Sequence, residues 1–281
     1  MEMNAITQIV RNAMDAGTHN ETDYQGEDGL IHCGVCHEPK QHLEHGWLGG
    51  GDALLPIRCR CEKEEIERRE AERQAENRRI QLESMRRTGF PDAEMLKWTF
   101  DTDDGLSAKT MQIAHNYVDN FSAFKSKGKG LLLFGGVGCG KSFAAACIAN
   151  ELINRDVSCM MTNFSRIVNK LSESFDGRQR YIDSLNCFKL LVIDDLAAER
   201  DTDYMWEQVM NVVDSRYRAG LPLIVTTNLT AQELSNPTDV RKARVFSRLM
   251  EMCIPVRCEG ADRRKLKARD DMSELRGLLG L

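Results

Sequence analysis

Five short apolar runs, separated by stretches of helical periodicity, occupy the last two thirds of the chain. Gly130 to Phe134 (GLLLF) is uninterrupted, as a strand buried on both faces of a parallel sheet would be. Val157 to Thr162, Leu190 to Ile193, Leu223 to Thr227 and Cys253 to Cys258 are expected to be further strands. Lys141 to Asn154 is an alanine-rich amphipathic helix, and Phe164 to Phe175 places Ile167, Val168 and Leu171 on one helical face. Tyr204 to Tyr217 carries Trp206, Val209, Met210 and Val213 at i, i+3, i+4, i+7. Thr230-x-x-Glu233 has the spacing of a capping box that opens a short helix. This alternation predicts an α/β fold: a parallel five-stranded sheet with helices on both faces.

The first ninety residues follow a different pattern. Residues 1–30 are polar and weakly patterned, and residues 31–61 are rich in cysteine and histidine. Residues 62–88 form a charge-dense run without Pro or Gly, in which pairs such as Glu65 and Arg69 fall at helical offsets. Its apolar positions (Ile66, Ala71, Ala75, Ile80, Leu82) hold no heptad, so a solvated linker helix is expected in preference to a coiled coil. Gly89-Phe90-Pro91 breaks it, and residues 89–281 constitute the main domain. A length of 281 residues suits one full α/β domain plus a smaller module. The net charge of -5 limits nucleic-acid contact to a local patch. There is no run of about 20 apolar residues and no apolar core near the N-terminus, so neither a membrane span nor a secretory signal is expected. Six of the ten cysteines lie scattered in apolar segments, as reduced thiols do, which points to the cytoplasm.

The strand Gly130–Phe134 runs into Gly135-Gly136-Val137-Gly138-Cys139-Gly140-Lys141-Ser142, which fits G-x-x-x-x-G-K-[ST] and opens a helix. The glycines let backbone N–H groups turn inward around a phosphate, and the helix N-terminus adds partial positive charge. Lys141 is expected to bridge β- and γ-phosphate oxygens, and the Ser142 hydroxyl to ligate Mg²⁺. Downstream, Leu190-Leu191-Val192-Ile193 ends in Asp194 and Asp195. Asp194 is placed to hold Mg²⁺ through water and Asp195 to orient or deprotonate the attacking water, with Glu199 as the fallback base. A full helix–strand–helix separates the two motifs, so the intervening strand is expected to lie between the P-loop strand and the Asp strand. Leu223–Thr227 ends in Asn228, an amide able to reach the γ-phosphate or the water from the opposite side. Tyr204, beside Arg200 and two residues before Trp206, is a candidate stacking platform for single-stranded DNA; Trp206 itself fits the core.

GGVGCGKS, LLVIDD, TTNLTAQEL and RVFSRLM together resemble the DnaC/DnaI-type helicase loaders of bacteria and phages and the related IstB-type transposition ATPases. The resemblance covers roughly residues 90 to 270 and, more loosely, the cysteine block. It implies an AAA+ P-loop fold, ATP hydrolysed at sites shared between subunits of a homo-oligomer, contact with single-stranded DNA, and delivery of a replicative helicase. It also places a trans-acting arginine in the helix around Arg244 and Arg248, with Arg248 of Ser-Arg-Leu the better match, and a cis sensor at Arg263 or Arg264. Many AAA+ ATPases carry Glu where this chain has Asp195, which shortens the base by one methylene. Because the sequence ends soon after Arg276, a C-terminal DNA-binding domain of the DnaA-initiator type is not expected.

Cys33-x-x-Cys36 and Cys59-x-Cys61 form two thiolate pairs separated by 22 residues, able to close a tetrahedral Zn²⁺ site. His37, His42 and His45 are alternative ligands, and Trp47 with Gly49–Gly51 is expected to loop between the pairs. A redox CxxC would leave Cys59 and Cys61 unexplained. A closed four-ligand site suits contact with a partner protein better than catalysis. The competing functions are a transposase-assisting ATPase, whose relatives usually lack such a module, and a zinc-dependent adaptor that uses nucleotide only as a switch.

Overall fold

The structure, a computed structural model, describes residues 20–46, 52–90, 92–173, 177–196 and 202–279. The expectations for Trp47, Gly49–Gly51, Glu199 and Arg200 lie outside the described residues. The chain divides into two compact units, Met1–Arg79 and Ile80–Leu281.

In the first unit, β1 (Tyr24–Gln25) pairs antiparallel with β2 (Ile31–His32), and β3 (Gln41–Glu44) with β4 (Ala53–Pro56). Helix α1 (Arg60–Gly89) follows, and the boundary between the units falls within it. Exposed i,i+3 and i,i+4 pairs such as Glu65 with Arg68 and Arg69 line α1, as its charge pattern predicts. At the centre of the unit Lys40 is fully buried, 2.7 Å from Asp23 and 2.7 Å from Glu62. Burial opposes the Lys40 charge, but the two carboxylates more than reverse this and raise its pKa well above the ordinary lysine value. Among the described residues of this unit few apolar side chains are buried, so this ion triad and the cysteines described below contribute much of its packing.

The second unit is a three-layer α/β/α domain. Before the phosphate loop lie two helices that the sequence pattern did not reveal, α2 (Ala108–Asp119) and α3 (Phe121–Ser126). Then come β5 (Gly130–Phe134), α4 (Lys141–Asn154), β6 (Cys159–Asn163), α5 (Phe164–Glu173), α6 (Arg178–Leu185) and β7 (Leu190–Leu196). The domain ends with α7 (Asp203–Arg218), β8 (Leu223–Thr227), α8 (Ala231–Ser235), α9 (Val240–Met252), β9 (Cys253–Arg257) and α10 (Arg263–Leu279). The five strands are all parallel, in the order β6-β7-β8-β5-β9. Along β5 the side chains alternate between layers: Leu131 and Leu133 pack with α2 to α4, while Leu132 packs with α5, α6, α7 and α9. Pro255, which cannot donate a ladder hydrogen bond, sits on the edge strand β9.

This order corrects one expectation. The strand intervening in sequence, β6, lies at the far edge of the sheet, and the strand between β5 and β7 is β8. Strands β6, β7 and β8 pair in succession, so the first crossover must skip two positions and the next two return to fill the gap. A strand still separates the phosphate-loop strand from the acid strand, and it is the one that carries Asn228.

Candidate nucleotide site and cysteine centre

The phosphate loop joins the carboxyl end of β5 to the N-terminus of α4. Gly138 (φ +77°) and Gly140 (φ +90°) adopt left-handed conformations there. A Cβ on Gly138 would lie 2.0 Å from Asp262 Oδ1, and one on Gly140 would lie 1.8 Å from Arg263 Nη1, so a larger residue at either position would strain the backbone and displace that side chain. The loop is pinned from outside: Ser107 Oγ donates to Cys139 O (3.0 Å) and the Arg263 N–H to Gly138 O (3.1 Å). Lys141 is buried, and its ammonium donates to Gly135 O (3.0 Å), Gly136 O (2.7 Å) and Asn228 Oδ1 (2.7 Å).

Opposite the loop, Asn228 Nδ2 donates to Asp195 Oδ1 (3.1 Å), so Asn228 bridges the lysine and the second acid. Asp194 Oδ1 accepts a 2.6 Å hydrogen bond from Thr226 Oγ1. Asp195 is the more exposed acid, yet its carboxyl is raised above the ordinary aspartate value. Desolvation by the surrounding walls is the main cause and the Asp194 charge the second, opposed by Lys141 and Arg264.

These groups line one cavity of about 410 Å³ that includes Gly138, Gly140, Lys141, Ser142, Asp194, Asp195, Asn228, Arg263 and Arg264. The structure thus brings together the P-loop, both acids, the strand-end amide and both candidate cis arginines. Arg263 forks onto Asp104, with Nε 2.6 Å and Nη2 2.5 Å from its carboxylate oxygens, and Arg264 is the more exposed of the two. The sequence reading missed the far wall of the cavity, where Glu94, Trp98, Thr102, Asp104 and Phe143 stand. No motif marks the segment from Glu94 to Asp104, which Asn150 Nδ2 holds in place by donating to the Trp98 carbonyl at 2.9 Å.

Arg248 lies elsewhere, beside α7. Its Nε is 3.1 Å from Asp214 Oδ1, its Nη1 is 2.9 Å from Glu251 Oε2, and its guanidinium lies 3.9 Å from the centroid of the Tyr217 ring. Arg244 is exposed. Tyr204, at the start of α7, is half-buried, accepts a hydrogen bond from Ser172 Oγ (3.4 Å) and lies under Arg178. Trp206 is buried and packs edge-on against Phe246, as its helical spacing predicts.

In the first unit the sulfurs of Cys33, Cys36, Cys59 and Cys61 lie within 4.8 Å of one another, and among the described residues no histidine joins them. His37 bonds to the Tyr24 hydroxyl, while His42 and His45 face the carboxylates of Glu44 and Asp52. Backbone N–H groups of Cys61 and Glu38 stabilise the Cys36 thiolate and bring its pKa down to about 6. Tetrahedral zinc, with Zn–S near 2.3 Å, sets S···S at about 3.8 Å, so the cluster fits the ion after a small contraction. Among the described residues, no helix is long and apolar enough to cross a membrane.

A parallel sheet with β8 between the phosphate-loop and acid strands, and a polar strand end facing both, defines a P-loop nucleotide-binding protein of the AAA+ type. A family profile described as IstB-like ATP binding protein matches residues 63–270. The chain belongs to the IstB-like ATP-binding protein family. It is similar to the replicative helicase loader DnaI of Bacillus subtilis, 28% identical over 197 residues that cover 65% of this chain and 63% of the relative. It is also similar to the replicative helicase loader DnaC of Escherichia coli K12, 25% identical over 146 residues, 50% of this chain and 56% of the relative. The chain therefore spans somewhat more than half the length of these curated relatives. A crystal structure of DnaI matches with a TM-score of 0.52 and 25% identity, over 61% of this chain and 96% of that one.

Proposed function

We propose that the protein is an ATPase that loads a replicative helicase onto DNA. The convergence of Lys141, Ser142, Asp194, Asp195 and Asn228 on one cavity carries the reading, and the likeness to DnaI and DnaC supports it. On ATP entry the Lys141 ammonium exchanges its carbonyl and amide acceptors for β- and γ-phosphate oxygens. Ser142, and Asp194 through water, would hold Mg²⁺, which would neutralise phosphate charge when bound. Asp195 takes a proton from the attacking water, while Asn228 orients that water or the γ-phosphate. Arg264, with Arg263 beside it, reads the phosphates in cis. The test is transfer of the cell's own hexameric helicase to circular single-stranded DNA. ATP-dependent transfer supports the reading; a helicase that neither binds this chain nor is transferred by it contradicts the reading. The alternative reading, a transposase-assisting ATPase of the IstB type, would be revealed by stimulation of a transposase in place of helicase transfer.

Arg248 serves a neighbouring subunit of a homo-oligomer in this scheme, leaving Asp214 and Glu251 to reach that subunit's γ-phosphate. Arg248→Ala is then expected to bind ATP normally but not to hydrolyse it. Excess Lys141→Ala subunits, which supply an intact arginine, restore turnover in the mixture. If folded, associating variants show no rescue at any ratio, Arg248 has no trans role and Arg244 becomes the candidate. Single-stranded DNA is assigned to Tyr204, whose ring sits beside Arg178 at the start of α7.

The cysteine centre is assigned one structural Zn²⁺, and its surface is assigned to contact with a partner protein. Elemental analysis of protein purified without chelators should find about one zinc per chain, lost in Cys33→Ser and Cys61→Ser while ATP binding persists. Metal-free parent protein of unchanged stability would remove zinc from the account.

A further inference from the structure

Two consecutive residues of a regular strand point to opposite faces, yet Asp194 and Asp195 both line the nucleotide cavity. The register between β7 and β8 explains how. Ile193 pairs with Val225 and Leu196 with Thr227, so two residues of β7, Asp194 and Asp195, stand opposite the single residue Thr226. This is a β-bulge, and Asp195 occupies it with φ +60°, a left-handed conformation unusual for a residue with a side chain.

Thr226 fills the gap that the bulge opens. Its hydroxyl accepts from the Asp195 N–H at 2.9 Å and donates to Asp194 Oδ1 at 2.6 Å, and the residue is buried. One side chain thus holds the strained backbone at the second acid and orients the carboxylate of the first. We propose that Thr226 is the positioning residue that makes both acids converge, and that its hydroxyl sets the affinity of Asp194 for the divalent cation. The proposal rests on the reading of Asp194 as a magnesium ligand through water. A hydroxyl bonded to a ligating carboxylate fixes which oxygen faces the metal, and removing such a partner typically weakens metal binding by about 10- to 100-fold.

The test uses Mn²⁺ as the probe, titrated by electron paramagnetic resonance into the full chain with a non-hydrolysable ATP analogue. Thr226→Val keeps the shape and loses the hydroxyl; it is expected to weaken Mn²⁺ binding at least about tenfold. Binding of the same analogue in EDTA should remain unchanged, which also serves as the check of folding. Thr226→Ser keeps the hydroxyl and should hold Mn²⁺ within about twofold of the parent. If the valine does not fold, Thr226→Ala is read in the same way. Parental Mn²⁺ affinity in a folded valine or alanine variant overturns the proposal, as does a serine variant no better than the valine. The measurement does not depend on turnover: a parent that holds Mn²⁺ tightly but releases no phosphate refutes the ATPase reading and leaves Thr226 in place. A parent that binds the analogue but no Mn²⁺ refutes both.

Discussion

Lys141→Ala is expected to abolish ATP binding at ordinary concentrations or weaken it severely. The Lys141 ammonium is buried beneath the loop, with Gly135 O, Gly136 O and Asn228 Oδ1 within 3.0 Å of it. Charge-assisted hydrogen bonds contribute about 1.5–3 kcal/mol each, so losing two to phosphate oxygens costs about 3–6 kcal/mol, or at least about a hundredfold in affinity. Titration of a fluorescent ATP analogue checks this directly. Retained affinity within about tenfold of the parent would show that the loop's N–H groups and Arg263 hold the phosphates without the lysine. The folded state should survive, because alanine sits well at the first turn of α4 and none of the three residues whose acceptors are released, Gly135, Gly136 and Asn228, is buried.

The second large effect is on turnover. Asp195→Asn removes the base but leaves the loop, Ser142 and Asp194 in place, so binding persists while hydrolysis falls by about 10²- to 10⁴-fold. The raised Asp195 carboxyl adds a pH signature. A base works only when deprotonated, so parental turnover falls as pH drops through a value above the ordinary aspartate range. That acid limb should vanish from the residual activity of the asparagine variant. A rate at the parental level with the acid limb intact would assign the base to another residue.

The five strands of the second unit were legible because they are largely apolar runs, and the candidate site was legible because its residues stand at strand ends in a fixed order. Gly130–Phe134 and Leu223–Thr227 match to the residue. The strand ending in the two acids continues to Leu196, since the bulge lets the chain regain register after Asp195, which no hydrophobicity pattern reports. The position of β6 at the sheet edge was misread because order in sequence does not determine order in space when a crossover skips strands. Thr226 looked like an ordinary strand residue, and its part emerges only when the opposing strand is seen. In the first unit the two Cys pairs were legible from spacing, whereas the buried Lys40, Asp23 and Glu62 triad was hidden. Charged residues in such a sequence are ordinarily exposed.

The most direct test of the account is steady-state phosphate release from Mg-ATP by the purified chain, measured across a range of protein concentrations with single-stranded DNA present. The account predicts turnover whose specific rate rises with concentration, because the Arg248 of one subunit completes the site of another, and which disappears in Lys141→Ala. Phosphate release no greater than that of Lys141→Ala at any concentration, from protein that binds ATP, would contradict it.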